Sequence, residues 1–402
     1  MKKVLIASTA LVAAGLMTTG TASAAEKIKL NLGGFSKWWV VGAWQDSSFE
    51  DGTGVGYANV DVKGDNEVFF GGSTKLDNGL EIGVDIQLEA GGHTETAASN
   101  PDVIDESYIW IAGGFGKFIV GSENNGVYLL HVNAPDAAGN WGEGGVLAGG
   151  NSSGGATAIV SPTAVRGFIG GNGTAPRIDN DAEKITYVAP TFYGLTLGAS
   201  YIPNASGTTS AQKGEDNSLQ ATSMEAMGVG ALYANTFGGV GVKLSTGFIW
   251  GDANVASAQT DFTQFVAGGQ LSYAGFTVGG SWRKDKADEK GGQYGNGGGS
   301  AVATSGNLLN TTGWDAGIQY ASGPWAVSFA YFQSESEGNA GNNLEDQITI
   351  WQVSGKYNLS PGVDVLATAG WAEFDDEGSK AATGDANHNE GWAVMTGLSL
   401  AF

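Results

Sequence analysis

The sequence predicts an all-β protein: a sixteen-strand antiparallel transmembrane β-barrel with one long loop folded into its lumen. Three observations predict it. The dominant hydrophobic period along the chain is two, with no convincing helical period over several turns. Short turns alternate with long polar loops, so the connections differ systematically between the two ends of the strands. The chain closes on Gly391-Trp392-Ala393-Val394-Met395-Thr396-Gly397-Leu398-Ser399-Leu400-Ala401-Phe402, with Trp392, Val394, Leu398, Leu400 and Phe402 in one register and mostly small residues in the other. That stretch carries no charge after Glu390 and has the length a tilted strand needs to cross a bilayer.

The first residues read as a signal peptide. Lys2 and Lys3 precede an apolar run from Val4 to Met17, and Ala22-Ser23-Ala24 fits a small-residue cleavage site, so residues 1–24 are the leader and 25–402 the barrel domain. The apolar run is too short for a spanning helix, and no later run of about 20 apolar residues exists. The chain has no Cys, hence no disulfide framework. The 19 basic residues fall to 17 once Lys2 and Lys3 leave with the leader, against 41 acidic, a net charge of −24. So acidic a chain excludes nucleic acid as a partner and favours cations over anions.

The strands follow in order. The first, 28–44, sets Leu30, Leu32, Trp38, Val40 and Trp44 against Lys29, Asn31, Lys37 and Trp39. A polar loop at 46–63 leads to 68–76, which Asp77-Asn78-Gly79 turns into 80–88. That strand alternates most cleanly, with Leu80, Ile82, Val84, Ile86 and Leu88 opposite Glu81, Asp85, Gln87 and Glu89. After a loop at 91–102 come 104–112, a tight Gly113–Gly116 turn, and 117–122. The pattern then stops over 123–180 and resumes at 183–188 and 195–202, joined by a turn at 190–194. Strands at 225–235, 240–250, 263–273, 276–283, 314–320, 325–333, 348–359 and 363–374 precede the closing 391–402. Their short turns lie near Gly238, Ala274, Gly323 and Pro361, and their long loops at 204–220, 252–262, 285–311, 335–346 and 376–389. The strand number is even and the terminal strands have matching registers, so they can pair and leave no edge. Aromatics such as Trp44, Tyr201, Trp250, Tyr273, Trp325 and Trp371 sit at strand ends, as interfacial girdles require.

Residues 123–180 hold Tyr128, Leu129, Leu130, Trp141, Val146, Leu147, Ile159, Val160, Phe168 and Ile169. A solvated tail does not carry so many apolar residues. A wide barrel interior gives them a packing surface, whereas a flap outside the barrel is the blander arrangement. Asp136 and Glu143 are the acids of this loop expected at a constriction. Lys29, Lys37, Lys75, Lys117, Lys184 and Lys243 fall in lumen-facing registers, and Lys37, Lys75 and Lys117 with Arg283 are the expected basic wall.

The order and spacing of short motifs resemble the Gram-negative general diffusion porins, of the alphaproteobacterial type. These motifs are Asp77-Asn78-Gly79-Leu80-Glu81, Gly114-Phe115-Gly116-Lys117 with Gly121, the resumption of the barrel at Asp181–Tyr187 after the fifth strand, and the terminal Phe402. The resemblance covers the whole mature chain. It implies a sixteen-strand barrel in the outer membrane among lipid and lipopolysaccharide, a homotrimer, and a third external loop inside the lumen. It also implies that the barrel-assembly machinery reads Phe402. General porins set a cluster of arginines across from the acidic loop. Here the chain has three Arg, and only Arg283 lies in a strand.

No catalytic, cofactor or metal site is expected. Ser152 matches G-x-S-x-G but lies in a Gly/Ser-rich loop without the strand-to-helix turn of a nucleophile elbow. Gly116-Lys117 and Gly355-Lys356 are followed by aromatic residues, so neither is a P-loop. His93, His131 and His388 lie in different loops without ligand spacing, and Asp375-Asp376-Glu377 reads as a solvated acidic face. Two functions fit: passive diffusion of ions and small hydrophilic solutes through a water-filled, cation-preferring pore, or a surface protein whose loops bind while the barrel anchors it. The polar registers at Glu81, Asp85, Gln87, Lys243, Gln264, Gln270, Gln319 and Asp364 favour the pore.

Overall fold

Period-two segments of this length pair into a ladder, and the computed structural model shows one continuous sheet. It describes residues 27–91, 104–139, 141, 147, 157–162, 165, 167–168, 174–176, 182–203, 205, 224–253, 261–287, 310–337, 345–376 and 384–402. The expected leader and Glu143 lie outside them. The strands are β1 (Asn31–Gln45), β2 (Val60–Lys75), β3 (Glu81–Glu89), β4 (Ile104–Gly113), β5 (Gly116–Ser122), β6 (Lys184–Val188), β7 (Leu195–Ile202) and β8 (Met224–Phe237). They continue as β9 (Val240–Ala253), β10 (Phe262–Tyr273), β11 (Phe276–Ala287), β12 (Thr311–Ser322), β13 (Trp325–Glu337), β14 (Glu345–Ser360), β15 (Val363–Asp375) and β16 (Asn389–Ala401).

Each strand pairs antiparallel with its sequence neighbours, and the ladder closes between β1 and β16. Trp38 lies opposite Leu398 and Trp44 opposite Trp392. The ends are sealed by the Gly34 N–H donating to the Phe402 carbonyl at 3.0 Å and the Phe402 N–H donating to the Gly34 carbonyl at 3.1 Å. A Cβ at Gly34 would overlap the Glu67 carbonyl of β2, so the approach of β2 to this end of β1 requires a residue without one.

Burial is inverted relative to a water-soluble sheet. Leu244, Val353 and Val394 are 50–55% exposed on the outer face, whereas Phe332, Ile348 and Phe374 on the lumen face are completely covered. An apolar belt of this extent is stable only against lipid. Aromatic pairs border it. Phe276–Tyr320 and Trp325–Tyr357, at 4.6 and 4.3 Å between ring centroids, mark the short-turn end. Trp351–Trp392 and Trp314–Tyr331, at 4.8 and 5.0 Å, mark the long-loop end.

The structure corrects one loop assignment. Residues 46–63 contain a short helix, α1 (Ser47–Thr53), capped by Asp46 accepting from the Ser48 N–H at 2.9 Å, and β2 already begins at Val60. Its first turns look polar because Asp61, Lys63 and Asp65 face the lumen, where Lys63 meets Asp61 at 3.0 Å and Lys37 meets Asp65 at 3.3 Å. Several later strands also run beyond their apolar residues, as β13 does to Glu337 and β14 from Glu345. The hydrogen-bond ladder continues above the lipid, where side chains need no alternation.

Leu244→Arg places a cation on the lipid face and should cost about 2–4 kcal/mol, read as a lower folded fraction in a urea titration in lipid vesicles. Lys243→Gln, one residue along and lumen-facing, should leave folding near wild type. Equal damage from both would overturn the face assignment.

Candidate functional site

The long connection from β5 to β6 enters the barrel and follows its inner wall. It starts with the single turn α2 (Gly126–Leu129), capped by Asn125, whose Oδ1 accepts from the Val127 and Tyr128 N–H groups at 2.9 and 3.0 Å. Val127 rests on β9 at Gly247, and the Val132 carbonyl rests on β10 at Gly268. A Cβ at either glycine would overlap the loop, so the wall is carved to let the backbone approach. Further along, Phe168 presses on Gly313 of β12 and Leu147 on Gly370 of β15.

A buried loop must find partners for its backbone. Here lumen-facing hydroxyls and polar side chains supply them. The Gly126, Val132, Ala137 and Phe168 N–H groups donate to Ser200, Ser245, Ser328 and Ser334 Oγ at 2.8, 3.0, 2.9 and 3.0 Å. Ala134 N–H donates to Asp315 Oδ1 at 3.0 Å, and Val160 N–H to Gln45 Oε1 at 2.7 Å. These partners sit on β7, β9, β13, β12 and β1, so the loop crosses most of the barrel. Each bond contributes about 0.5–1.5 kcal/mol, and losing one partner costs more because the other stays buried.

Apolar packing fixes the far half of the loop. Trp141, Leu147, Ile159, Val165 and Phe168 share one core with Trp39 and Val41 of β1, Phe332 of β13, Ile348 and Ile350 of β14, Phe374 of β15 and Met395 of β16. This side of the lumen wall thus carries an apolar patch among its polar residues, the packing surface expected for the loop. The loop supplies the cover that water cannot.

The expected site residues divide between roles. Asp136 is half-buried: its Oδ2 accepts from the Trp141 N–H at 2.9 Å and its Oδ1 from Ser328 Oγ at 3.2 Å, which folds the loop and pins it to β13. Arg283 is on the lumen wall but covered by the loop. Its guanidinium holds Asp285 at 2.8 and 2.6 Å, donates to the Ala175 carbonyl at 2.7 Å, and lies 4.1 Å from the centre of the Phe168 ring. It clamps the loop. Lys37 pairs with Asp65, and Lys117 lies over the Trp110 ring at 4.7 Å. Lys75 is exposed at the last position of β2.

Sequence reading put Glu89 in the polar register of its strand but missed that Glu67 and Asp105 gather beside it on β2–β4. Glu67 and Glu89 are direct cross-strand partners, and oxygens of Glu67, Glu89 and Asp105 lie within 4.8 Å of one another. A register shift between Ile86 and Leu88 sets Asp105 and Glu106 against Gln87 alone, so two adjacent carboxylates gather where alternation would separate them. Glu106 is buried, accepting from Gln87 Nε2 at 2.5 Å and Asn124 Nδ2 at 2.8 Å. The signal available in sequence was the shared register of Glu67 and Glu89; the bulge has none.

This closed sixteen-strand antiparallel barrel matches known proteins. The family model described as Gram-negative porin matches residues 7–377. No curated protein matches the chain. An anion-selective porin from Comamonas acidovorans superposes with a TM-score of 0.59 at 16% identity, covering 94% of this chain and 100% of that one. The Vibrio cholerae outer membrane protein OmpT, in a trimer form, gives 0.56 at 11% identity over 94% and 100%. A porin refined at 1.8 Å resolution gives 0.55 at 14% over 93% and 100%. At such identities the likeness shows the fold, and the family match carries the rest: the chain is an integral outer-membrane β-barrel that belongs to the Gram-negative porin family.

Proposed function

We propose that the barrel passes ions and small hydrophilic solutes by passive diffusion and prefers cations. The observation that carries this reading is the division of the lumen: the loop packs on β1 and β13–β16, while β2–β4 present Glu67, Glu89 and Asp105. Asp136 and Glu143 belong to the same narrow region in this reading, with Lys37, Lys75 and Lys117 as its basic counterparts and Arg283 holding the loop in place. The mature net charge of −24 acts in the same direction. No step of this function calls for a catalytic group or a cofactor. In this reading the porin works as a homotrimer surrounded by outer-membrane lipid and lipopolysaccharide, with Phe402 read by the barrel-assembly machinery. The trimer form of OmpT supports the homotrimer, and the exposed Phe402 side chain supports its role as a signal. Removing Phe402 should lower the yield of heat-resistant trimer on unheated gels, and an unchanged yield would reject its role as a signal.

Gly268→Val puts a side chain where the Val132 carbonyl lies, so it should displace the loop from β10 while leaving the strand ladder intact. Single-channel conductance and the cutoff for neutral sugars should both change. Identical values to wild type would show that the loop does not set the narrowest point.

A salt gradient across a planar bilayer should give a zero-current potential of the cation-selective sign. It should weaken as the Debye length falls from about 10 Å at 0.1 M to about 3 Å at 1 M. Replacing Glu67 and Glu89 by Gln and Asp105 by Asn should reduce it further. The Comamonas porin is anion-selective, so an anion-selective sign here would show that the lysines dominate the pore.

A further inference from the structure

The three histidines share no ligand spacing in sequence, but the β15–β16 pairing gives one of them metal-ligand neighbours. Glu373 and Glu390 are direct cross-strand partners. They lie on the outer face, two residues beyond the Trp371–Trp392 pair toward the long-loop end. His388 precedes Glu390 by two residues, immediately before β16 begins. A ring nitrogen of His388 and one carboxylate oxygen from each glutamate lie within 4.8 Å of one another.

Two features separate this trio from an ordinary acidic rim. His388 is only 7% exposed although it flanks an external loop, and Asp375 on β15 meets its Nδ1 at 2.5 Å. A carboxylate on one ring nitrogen sets the tautomer and leaves the lone pair on the other, which is how ligating histidines are oriented. In addition, two like charges directly opposite on adjacent strands repel, and a cation between them removes the repulsion.

We propose that Glu373, His388 and Glu390 form a divalent-metal site on the outer rim of the barrel, with Asp375 orienting the imidazole. One imidazole nitrogen and two carboxylates suit a borderline ion of the zinc class and leave a position for water or an external ligand. Hard ions such as Mg²⁺ and Ca²⁺ prefer oxygen ligands throughout, so the histidine discriminates against them. The occupied site ties the top of β15 to the top of β16. It also borders the mouth, because Asp385, three residues before His388, donates its N–H to the Ser48 carbonyl of α1 at 2.9 Å.

The test uses the refolded full barrel in detergent, titrated with Co²⁺ as a visible-absorbance probe and then with Zn²⁺ as competitor. Wild type should take up one ion per chain, with bands that Zn²⁺ abolishes and a large excess of Mg²⁺ leaves in place. His388→Ala should lose the bands. Asp375→Asn should bind about 10–100-fold more weakly, as loss of an orienting partner does. Glu390→Gln, at an exposed position, keeps the proposal testable if His388→Ala does not fold, and should also lose the bands. Heat-resistant gel migration reports folding for each variant. Absent or non-saturable binding, binding unchanged in His388→Ala or Glu390→Gln, or displacement by Mg²⁺ equal to that by Zn²⁺ would each overturn the site.

Discussion

The pairing of β1 with β16 is the constraint on which the rest of the structure depends. Inside a bilayer no water is available to satisfy a free N–H or C=O, so an open sheet edge would cost several kcal/mol per unpaired group. Eleven residue pairs from Phe35–Ala401 to Gln45–Gly391 remove that edge. Once the sheet is closed, its two faces meet different solvents. The outer face must be apolar across the lipid, and the inner face is free to serve whatever fills the lumen. The inverted burial, the aromatic borders and the tolerance of lumen carboxylates all follow from closure.

Closure also creates the problem that the loop solves. Sixteen strands enclose an interior too wide for side chains alone to fill, and on one side that interior is lined by Trp39, Phe332, Ile348 and Phe374. Bare, this patch would meet water. The loop covers it, and the patch in turn gives the loop the core it lacks on its own. Wall and loop are therefore complementary halves of one interior, joined by hydroxyls where the loop backbone needs donors accepted and by glycines where it must come close.

The sequence was a good guide to whatever the lipid dictates. Alternation against a uniform apolar solvent leaves a plain period of two, so the outer faces of Leu80–Leu88 and Gly391–Phe402, the short turns and the strand number could all be read. The lumen is harder to read because its solvent is not uniform. Apolar residues there can face the loop, as Met395 does, and charged ones can face water, as Asp61 and Lys63 do, which is why the start of β2 resembled a loop. Ser200, Ser245, Ser328 and Ser334 look like ordinary small polar lumen residues in sequence; only the path of a loop dozens to nearly two hundred residues away makes them anchors. The infolding itself was legible, since apolar residues without a periodic element must pack on something. The loop's route and the bulge that gathers Asp105 and Glu106 were not, because both depend on register.

Arg283 shows how the same residue type takes a different role when the loop is built differently. A guanidinium facing the pore would oppose an acidic loop across water. Here the loop lies over it, and the charge is already matched by Asp285, itself held by Gln264 Nε2 at 2.9 Å. A buried pair contributes little net stability over an apolar substitute, but breaking it is costly because one charge is left uncompensated. That asymmetry favours position over strength: the Ala175 carbonyl and the Phe168 ring fit this guanidinium in one geometry. The pair thus fixes where the returning half of the loop crosses β11. Arg283 is committed to that contact and does not stand as an open charge on the wall. Elsewhere on the wall Glu67, Glu89 and Asp105 are gathered in one patch, Lys37 pairs with Asp65, and Lys117 lies over Trp110.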